Sequence, residues 1–409
     1  MNLCVIGLGY IGLPTATIFA LHGAQVTGVD ISPRILNAIR QGKSHFIEPE
    51  LDAVLAQVVA NESLVVSEAP VAADVFIIAV PTPFKDQFQP DLSYVEAATA
   101  SLASALKKGN LIILESTSPV GTTQKIAEQL STLRPDLSFP VEGILYPDVH
   151  VCYCPERVLP GRIFYELVQN DRVMGGLTSS CTEKACAVYQ LFVKGQCLKT
   201  DAKTAEMAKL TENAFRDVNI AFANELSMVC DELNINTWEL IKLANHHPRV
   251  NILQPGPGVG GHCIAVDPWF IISASNKARL LKTAREVNNN KPEFILEKIE
   301  EAVGKIKHAK ITCFGLSYKK DIDDLRESPA VEIVKKLCEK EIAVNVFEPH
   351  IQALPDALSS YSSIALIPHL NEAMTSDILV FLVDHTLFKE LKLVTMANKT
   401  VIDVCGLFA

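Results

Sequence analysis

One cysteine stands in a loop whose residue types could support covalent catalysis. Residues 256–268 read GPGVGGHCIAVDP, so four glycines precede Cys263 and a carboxylate, Asp267, follows it four positions later. Glycines let a backbone approach a ligand closely, and a helix starting near Ile264 would bring Cys263 and Asp267 onto one face. We therefore take Cys263 as the candidate nucleophile, against the alternative of a structural cysteine buried in a core.

The chain also begins with a dinucleotide-binding pattern. Residues 2–6 predict an apolar strand, residues 7–12 read GLGYIG, a helix of small residues follows, and a second strand ends at Asp30. The three glycines of G-x-G-x-x-G allow a tight bend, close approach of a pyrophosphate to the helix N-terminus and packing of helix on strand, while the acid accepts from a ribose hydroxyl. An acid there disfavours a 2′-phosphate, so the predicted cofactor is NAD, bound by Gly7, Gly9, Tyr10, Ile11, Gly12 and Asp30.

Composition and charge narrow the class of protein. The 409 residues suggest two or three domains, and the net charge of −10 argues against nucleic acid or an anionic membrane as partner. An anionic substrate must then be held by a few local cations. Residues 1–29 carry no Asp, Glu, Lys or Arg. Glycines and Pro14 break this apolar run and no basic segment precedes it, so we expect no targeting signal and a cytoplasmic protein.

The cysteines bear on disulfides and on zinc. Eleven of them without regular spacing fit free thiols in a reducing compartment better than a disulfide framework. His150, Cys152 and Cys154 would share one face of a strand, but no second pair at ligand spacing completes four zinc ligands. We expect these three to be core strand residues, and we expect no metal site.

Two polar turns follow apolar strands in the first part of the chain. The turn Pro81-Thr82-Pro83 comes after a strand at 74–80, and residues 115–122, ESTSPVGT, come after a strand at 111–114. Open parallel sheets place their ligands at such carboxyl ends. A helix from Thr122 to Leu133 then offers N–H groups that favour an anion.

A long helix and a second β-α-β pattern make up the rest. No Gly or Pro occurs between Thr204 and Val229, and Lys209 and Asn213 lie four apart on this helix, which alone would indicate only a solvated face. A Rossmann-like pattern without G-x-G-x-x-G starts at Lys310, either a decayed duplication or a nucleotide site that reads its ligand differently. Its polar loop is either a solvated charge run or a diphosphate-binding cluster, with the cations Lys319, Lys320 and Arg326.

These motifs resemble the UDP-glucose/GDP-mannose dehydrogenase family over essentially the whole chain. The resemblance rests on GLGYIGLP at 7–14, ESTSPVGT at 115–122, CPERVLPG at 154–161, AEMAKLTENAFRDVNIAFANEL at 205–226, GVGGHCIAVDP at 258–268 and YKKDIDDLRESP at 318–329. It implies an α/β fold of two Rossmann-like doubly wound domains joined by a long central helix. The implied boundaries are 1–199 for an NAD-binding domain, 200–306 for a central helical dimerisation region with the cysteine loop, and 307–409 for a UDP-sugar-binding domain.

The resemblance also implies a reaction. A UDP-sugar is oxidised at carbon 6 from alcohol to carboxylate by two NAD, and the aldehyde is held on the cysteine as a thiohemiacetal and then a thioester. Cys263 would be the nucleophile, Lys209 and Asn213 would stabilise an oxyanion, and Asp267 would orient Lys209 and a water. Glu156 would activate water for thioester hydrolysis, with Thr117 near that water and the nicotinamide.

Further implications concern the substrate and the assembly. The spelling GGHC with VDPWF is typical of the branch that oxidises UDP-N-acetylmannosamine to its uronic acid, with UDP-N-acetylglucosamine and UDP-glucose as alternatives. A homodimer built on the long helix is implied, in which Arg249 contacts the sugar nucleotide of the adjoining subunit. Cys405 is a departure, because many relatives carry Arg or Lys there, and this puts that one contact in doubt. The implied cofactor contacts are Pro81, Thr82, Ser116, Thr117 and Arg326, and the implied substrate contacts are Arg157, Lys209, Asn213, Arg249, Gly260, His262, Tyr318 and Lys319.

Two other functions stay open. A one-step β-hydroxyacid dehydrogenase shares the leading Rossmann unit but needs neither Cys263 nor a second nucleotide domain, and it would yield one NADH per substrate instead of two. A protein that binds NAD without turnover is the other alternative. It would bind NAD firmly and reduce none with any UDP-sugar.

Overall fold

The structure, a computed structural model, describes residues 1–85, 88–141, 143–159, 161–391 and 396–409, and Pro160 of the CPERVLPG segment lies outside these ranges. The chain divides into two compact units. The first unit comprises residues 1–211 and 269–274, and the second unit comprises residues 212–268 and 275–409.

Strands and helices follow one another through the whole chain. The elements up to residue 201 are β1 Asn2–Ile6, α1 Gly12–Leu21, β2 Gln25–Val29, α2 Pro33–Arg40, α3 Leu51–Ala60, β3 Leu64–Ser67, β4 Val75–Ile78, β5 Phe84–Lys85, β6 Gln89–Pro90, α4 Ser93–Leu102, β7 Leu111–Leu114, α5 Thr122–Leu133, β8 His150–Tyr153, α6 Ile163–Gln169, β9 Arg172–Gly176, α7 Ser179–Tyr189 and β10 Cys197–Asp201. Four helices come next: α8 Ala202–Glu232, α9 Thr237–Ala244, α10 Asp267–Ala274 and α11 Arg279–Gly304. The last elements are β11 Ile311–Phe314, α12 Pro329–Glu339, β12 Val344–Phe347, α13 Asp356–Ser359, β13 Ile364–Leu366, α14 Leu370–Ala373, β14 Ile378–Phe381 and β15 Thr400–Asp403.

An eight-stranded sheet organises the first unit, in the order β10-β9-β8-β7-β4-β1-β2-β3. Its strands pair in parallel except β8 and β9, which are antiparallel. Successive residues of β1 belong to different apolar cores, Val5 to one and Ile6 to the other, because successive side chains of a strand point to opposite faces. The order reverses at β1, which lies between β4 and β2, and such a switch point is where open α/β sheets bind ligands.

A smaller, fully parallel sheet organises the second unit, in the order β13-β12-β11-β14-β15. Here β11 lies between β12 and β14, as β1 lies between β2 and β4 in the first unit. The later turns of α8 pack against α11 through a buried ion pair, in which Arg285 donates to Asp217 at 2.6 Å. Asn288 donates to the same carboxylate at 2.8 Å.

The predicted fold class is confirmed, and most predicted helix and strand boundaries lie within one or two residues of those in the structure. The helix predicted to start near Ile264 was wrong, because residues 264–266 form a turn and α10 begins at Asp267. Pro268 explains the late start, since proline is tolerated best in the first turn of a helix. No helix among the described residues is both long and apolar enough to span a bilayer.

Candidate functional site

The glycine turn after β1 has the geometry of a dinucleotide-binding turn. Gly7 has a φ of +90°, a conformation that favours glycine, and its N–H donates to the carbonyl of Val29 at 2.8 Å. A side chain on Gly12 would lie 1.8 Å from the carbonyl oxygen of Gly7, whereas nothing lies within 4 Å of where a Cβ of Gly9 would be. Gly12 therefore permits the turn itself, and Gly9 leaves open space beside it.

Asp30 ties this turn to the end of β2. Its carboxylate accepts from the N–H of Leu8 at 2.9 Å and from the N–H of Ser32 at 2.8 Å. The residue is only partly buried, and each carboxylate oxygen has a second lone pair for a ribose hydroxyl. No side chain among the described residues caps the N-terminus of α1. The turn therefore fits NAD, with a helix N-terminus for the pyrophosphate and an acid for the ribose.

The ends of β4 and β7 bring further predicted cofactor residues together. The hydroxyl of Thr82 donates to the carbonyl of Thr117 at 2.7 Å, and the hydroxyl of Ser116 donates to the carbonyl of Val80 at 2.7 Å. Pro81 lies in the same turn as Thr82. Because β4 and β7 are neighbours in the sheet, these residues share its carboxyl edge with the glycine turn after β1.

The N-terminus of α5 binds an anion, but the anion belongs to the protein. Glu206 of α8 accepts from the N–H groups of Gly121 and Thr123 at 2.6 and 2.8 Å, and from the Thr123 hydroxyl at 2.7 Å. This carboxylate is fully buried. The expectation that α5 offers its N–H groups to a ligand anion was therefore wrong, since an internal acid occupies them.

Glu156 lies in a buried charge cluster and not on a solvated loop. Its Oε2 accepts from Arg172 at 2.9 Å, and its Oε1 accepts from the N–H of Arg157 at 2.6 Å. The same guanidinium lies 3.4 Å from Glu115. Burial raises the pKa of Glu115 to about 7, although Arg172 opposes that shift. The predicted core position of Cys152 and Cys154 is confirmed, as both are fully buried.

Cys263 is accessible at the surface of the second unit. All eleven cysteines lie in the described ranges; eight are buried, two are intermediate and Cys263 is exposed. The N–H of Asp267 donates to the carbonyl of Cys263 at 2.9 Å, so one helical turn of backbone joins the two residues. The buried carboxylate of Asp267 accepts from the side-chain amide of Asn213 at 2.5 Å. Lys209 lies one turn before Asn213 on α8 and is partly buried.

Two glycines of the cysteine loop, Gly260 and Gly261, approach protein and not open space. A Cβ on Gly260 would lie 2.5 Å from the carbonyl oxygen of Glu327, and one on Gly261 would lie 2.9 Å from the Tyr318 ring. The N–H of Gly261 donates to the carbonyl of Arg326 at 3.2 Å. The glycines thus pack the cysteine loop against residues 318–327, which contain several of the predicted ligand contacts.

This polar loop is partly paired internally. The guanidinium of Arg326 makes a bidentate pair with Asp324 at 2.8 and 2.6 Å, and it lies 3.5 Å from the ring of His262. Burial, with Arg326 next, lowers the pKa of His262. Burial, with Asp324 and Cys263 next, raises the pKa of Tyr318. Lys319 is exposed.

A second turn in this unit repeats the design of the first. Gly315 has a φ of +89° and donates to the carbonyl of Phe347 at 2.9 Å. Glu348, directly after β12, accepts from the N–H of Leu316 at 2.7 Å, as Asp30 does from Leu8. Sequence reasoning missed Glu348, although an acid directly after a strand of a β-α-β pattern was an available signal.

His385 holds this second turn through hydrogen bonds of both of its ring nitrogens. Its Nε2 lies 3.0 Å from Glu348 and its Nδ1 accepts from the N–H of Asp321 at 2.9 Å. Asp321, His350 and His385 bring possible ligand atoms within 4.8 Å of one another. Because both ring nitrogens of His385 are already hydrogen-bonded, this residue anchors the loop and offers no nitrogen to a metal.

Two predicted residues lie apart from these groups. Arg249 is exposed on the turn after α9. Cys405 follows β15, where its N–H donates to Asp403 at 3.1 Å, and burial raises the pKa of its thiol. Asp403 also accepts from the N–H of Phe408 at 3.0 Å, so local backbone donors bind this carboxylate.

Comparison with known proteins gives relatives over the whole length of the chain. It is 54% identical to the NDP-N-acetyl-D-galactosaminuronic acid dehydrogenase of Ralstonia nicotianae, over 100% of this chain and 96% of that one. It is 55% identical to the UDP-N-acetyl-D-mannosamine dehydrogenase of Campylobacter jejuni, over 96% and 97% of the two chains. A solved UDP-D-ManNAc dehydrogenase from Pyrococcus horikoshii superposes with a TM-score of 0.89 at 39% identity, over 100% of this chain and 96% of that one.

Family models cover most of the chain. The NAD binding domain of the UDP-glucose/GDP-mannose dehydrogenase family matches residues 1–193, its central domain matches 203–290, and its UDP binding domain matches 312–409. The cofactor is therefore NAD, in agreement with the turn around Gly9 and Asp30. The chain belongs to the UDP-glucose/GDP-mannose dehydrogenase family.

Proposed function

We propose that this protein oxidises the carbon-6 alcohol of UDP-N-acetylmannosamine to a carboxylate, with two NAD and one water consumed per uronic acid. The observation that carries the proposal is the exposed Cys263, held in a glycine loop against residues 318–327 of a matched UDP binding domain. The relatives named for N-acetylated sugar nucleotides support the substrate class.

Cys263 is the proposed nucleophile. NAD supplies the oxidant by accepting two electrons as a hydride in each of two steps. The thiolate adds to the aldehyde carbon made in the first oxidation and gives a thiohemiacetal, whose oxidation gives a thioester. Water then breaks the carbon–sulfur bond, releasing the carboxylate and returning the thiol.

The helix α8 supplies the proposed charge-stabilising groups. Lys209 and Asn213 are one turn apart, and we assign them to the substrate oxygen that becomes negative in the transition states. Asp267 holds the amide of Asn213 at 2.5 Å and so keeps that donor in place. A role for Asp267 in orienting Lys209 and a water is part of the same proposal.

Glu156 is the proposed base for thioester hydrolysis, with Thr117 close to the nicotinamide and the water. Arg172 pairs with this buried carboxylate at 2.9 Å and fixes its position, and a positioned carboxylate is suited to act as a general base. Around them, we assign NAD contacts to the glycine turn Gly7–Gly12, to Asp30, to the two strand-end turns with Pro81, Thr82 and Ser116, and to Arg326. The sugar nucleotide is assigned to Arg157, Gly260, His262, Tyr318, Lys319 and Arg249.

We also propose a homodimer built on α8. Phe215, Phe222 and Val229 recur at intervals of seven, and their exposed fractions are 67%, 54% and 45%. An exposed apolar row on one long helix is typical of a surface that packs against a second copy. Arg249 would then serve the partner's substrate. We further propose functional regions at 1–199, 200–306 and 307–409, and a cytoplasmic location, which the eleven cysteines without regular spacing favour.

A substrate panel tests the proposed activity. UDP-N-acetylmannosamine, UDP-N-acetylglucosamine, UDP-N-acetylgalactosamine and UDP-glucose are each supplied with excess NAD, and NADH and acid are quantified. We expect UDP-N-acetylmannosamine to react with the highest kcat/KM and to yield two NADH per acid. One NADH per substrate would indicate a one-step dehydrogenase, and firm NAD binding without any reduction would indicate a protein that does not turn over.

A further inference from the structure

A second buried carboxylate shares the arginine that holds Glu156. Glu115 directly follows β7, and Arg172, on β9, lies 3.4 Å from Glu115 and 2.9 Å from Glu156. All three residues are at least nine-tenths buried. One guanidinium thus faces two carboxylates where water cannot screen them, and a buried site with one cation does not readily hold two negative charges.

The other groups around Glu115 define its surroundings. Tyr189 of α7 donates its hydroxyl to Glu115 at 3.1 Å, and the Arg172 guanidinium lies 4.7 Å from the centre of that ring. Cys154, directly after β8, lies 3.9 Å from Arg172. Among the residues that the structure describes, these and Glu156 are the titratable and charged groups that face Glu115 from the elements packed around it.

From this geometry we propose that Glu115 is a positioning residue, which competes with Glu156 for Arg172 when it is charged and leaves Arg172 to Glu156 when it carries a proton. The proposal rests on the proposed role of Glu156 in thioester hydrolysis. When Glu115 loses its proton, its charge competes for Arg172 and so weakens the pairing of Arg172 with Glu156, the proposed base. Hydrolysis therefore speeds up as Glu115 ionises, and the pKa of about 7 for Glu115 places this change near neutral pH.

The test measures how fast the Cys263 thioester is converted to acid in a single turnover, between about pH 5.5 and pH 8.5. We expect the wild-type rate to rise about three- to tenfold through neutrality, beyond any rise in Glu115→Gln, which cannot titrate. Tyr189→Phe removes a hydrogen bond that lowers the pKa of Glu115 and keeps the ring beneath Arg172. It should retain the rise but shift it to higher pH.

A spectroscopic readout covers the case in which Glu115→Gln folds poorly. Infrared titration of the wild-type protein should show a protonated carboxyl band that disappears near pH 7 and is absent in Glu115→Gln. The proposal is overturned if wild type shows no such band, or if Glu115→Gln keeps the wild-type pH profile at a uniformly lower rate. If Glu156→Gln hydrolyses the thioester at the wild-type rate, the role proposed for Glu156 fails and the inference about Glu115 fails with it.

Discussion

The two glycine turns, one in each unit, use the same backbone device for different ends. Gly7 and Gly315 each follow the strand at which the strand order of their sheet reverses, with φ values of +90° and +89°. Each donates to the last residue of the next strand, and each turn is held by an acid directly after that strand, Asp30 or Glu348. The acid is where they differ, because Asp30 stays partly exposed while Glu348 is buried against His385.

This difference shows how a Rossmann-like turn can be kept without its ribose-binding acid. In the first unit the carboxylate holds the turn and still has a lone pair for a ligand. In the second unit the imidazole of His385 takes that remaining capacity and links the turn to the loop at Asp321. The second turn is therefore a structural anchor for the polar loop, and it reads no ribose through Glu348.

We expect the largest difference between the two turns when a glycine in each turn is replaced by alanine. In Gly315→Ala the new Cβ would lie 2.4 Å from the Cβ of Val383, and residue 315 has a left-handed backbone conformation. We therefore expect the free energy of unfolding to fall by about 3 kcal/mol or more. In Gly9→Ala nothing lies within 4 Å of the new Cβ, so stability should change little while NAD affinity falls about 30-fold, because the methyl group takes the space of the pyrophosphate. Chemical denaturation and calorimetric NAD titration measure both, and unchanged NAD affinity in Gly9→Ala would contradict the assignment.

Removing the charge of Glu348, the buried acid, should affect the stability of the fold and not NAD binding. Burial by itself would raise the pKa of Glu348, but hydrogen bonds from His385 and Leu316 outweigh it and lower that pKa below 4.5. Glu348→Gln should therefore cost about 2 kcal/mol above pH 4.5, with NAD affinity unchanged. A carboxyl with a lowered pKa loses its stabilising effect as pH falls through that pKa, so the difference from wild type should shrink in acid. A constant difference from pH 7 to pH 3 would refute this.

Removing the charge of Asp30, the partly exposed acid, should have a smaller effect, and this effect should be on NAD binding. Asp30→Asn keeps one of the two oxygen acceptors that hold the turn, replaces the other with an NH2 group and weakens the bond to the ribose hydroxyl, so we expect about tenfold weaker NAD binding. The preference for NAD over NADP should narrow as well, because the repulsion of a 2′-phosphate is lost. Competitive titration with the two cofactors measures both effects, and an unchanged preference would remove Asp30 from the ribose site.

Local patterns were enough to predict much of the first unit. The spacing of Gly7, Gly9, Gly12 and Asp30 predicted a strand-turn-helix and its cofactor, because this pattern lies within one short stretch of sequence. Gly12, for example, is required there by the carbonyl oxygen of Gly7 in the same turn. The strand-end turns around Thr82 and Ser116 were predicted for the same reason, since polar residues after apolar strands gather at one edge of a parallel sheet.

Residue pairs far apart in sequence could not be predicted in this way. Glu206 caps α5 across 83 residues, and Arg172 joins Glu115 and Glu156 across 57 and 16. The residues next to a carboxylate in sequence do not show whether it will bind an internal N–H group or an arginine, or stay in contact with solvent. The helix predicted to start near Ile264 failed for a local reason, since Pro268 favours a start at Asp267.

The covalent step on Cys263 is the central claim, and peptide mass spectrometry of the quenched enzyme tests it most directly. Glu156→Gln, in which hydrolysis should be slowed, is mixed with UDP-N-acetylmannosamine and excess NAD, quenched in acid and digested. We predict two NADH per enzyme in the first turnover and an added sugar-nucleotide mass on the peptide that carries Cys263, with Cys263→Ser as the control that forms no acid. No adduct on that peptide, together with full acid formation by Cys263→Ser, would contradict the account.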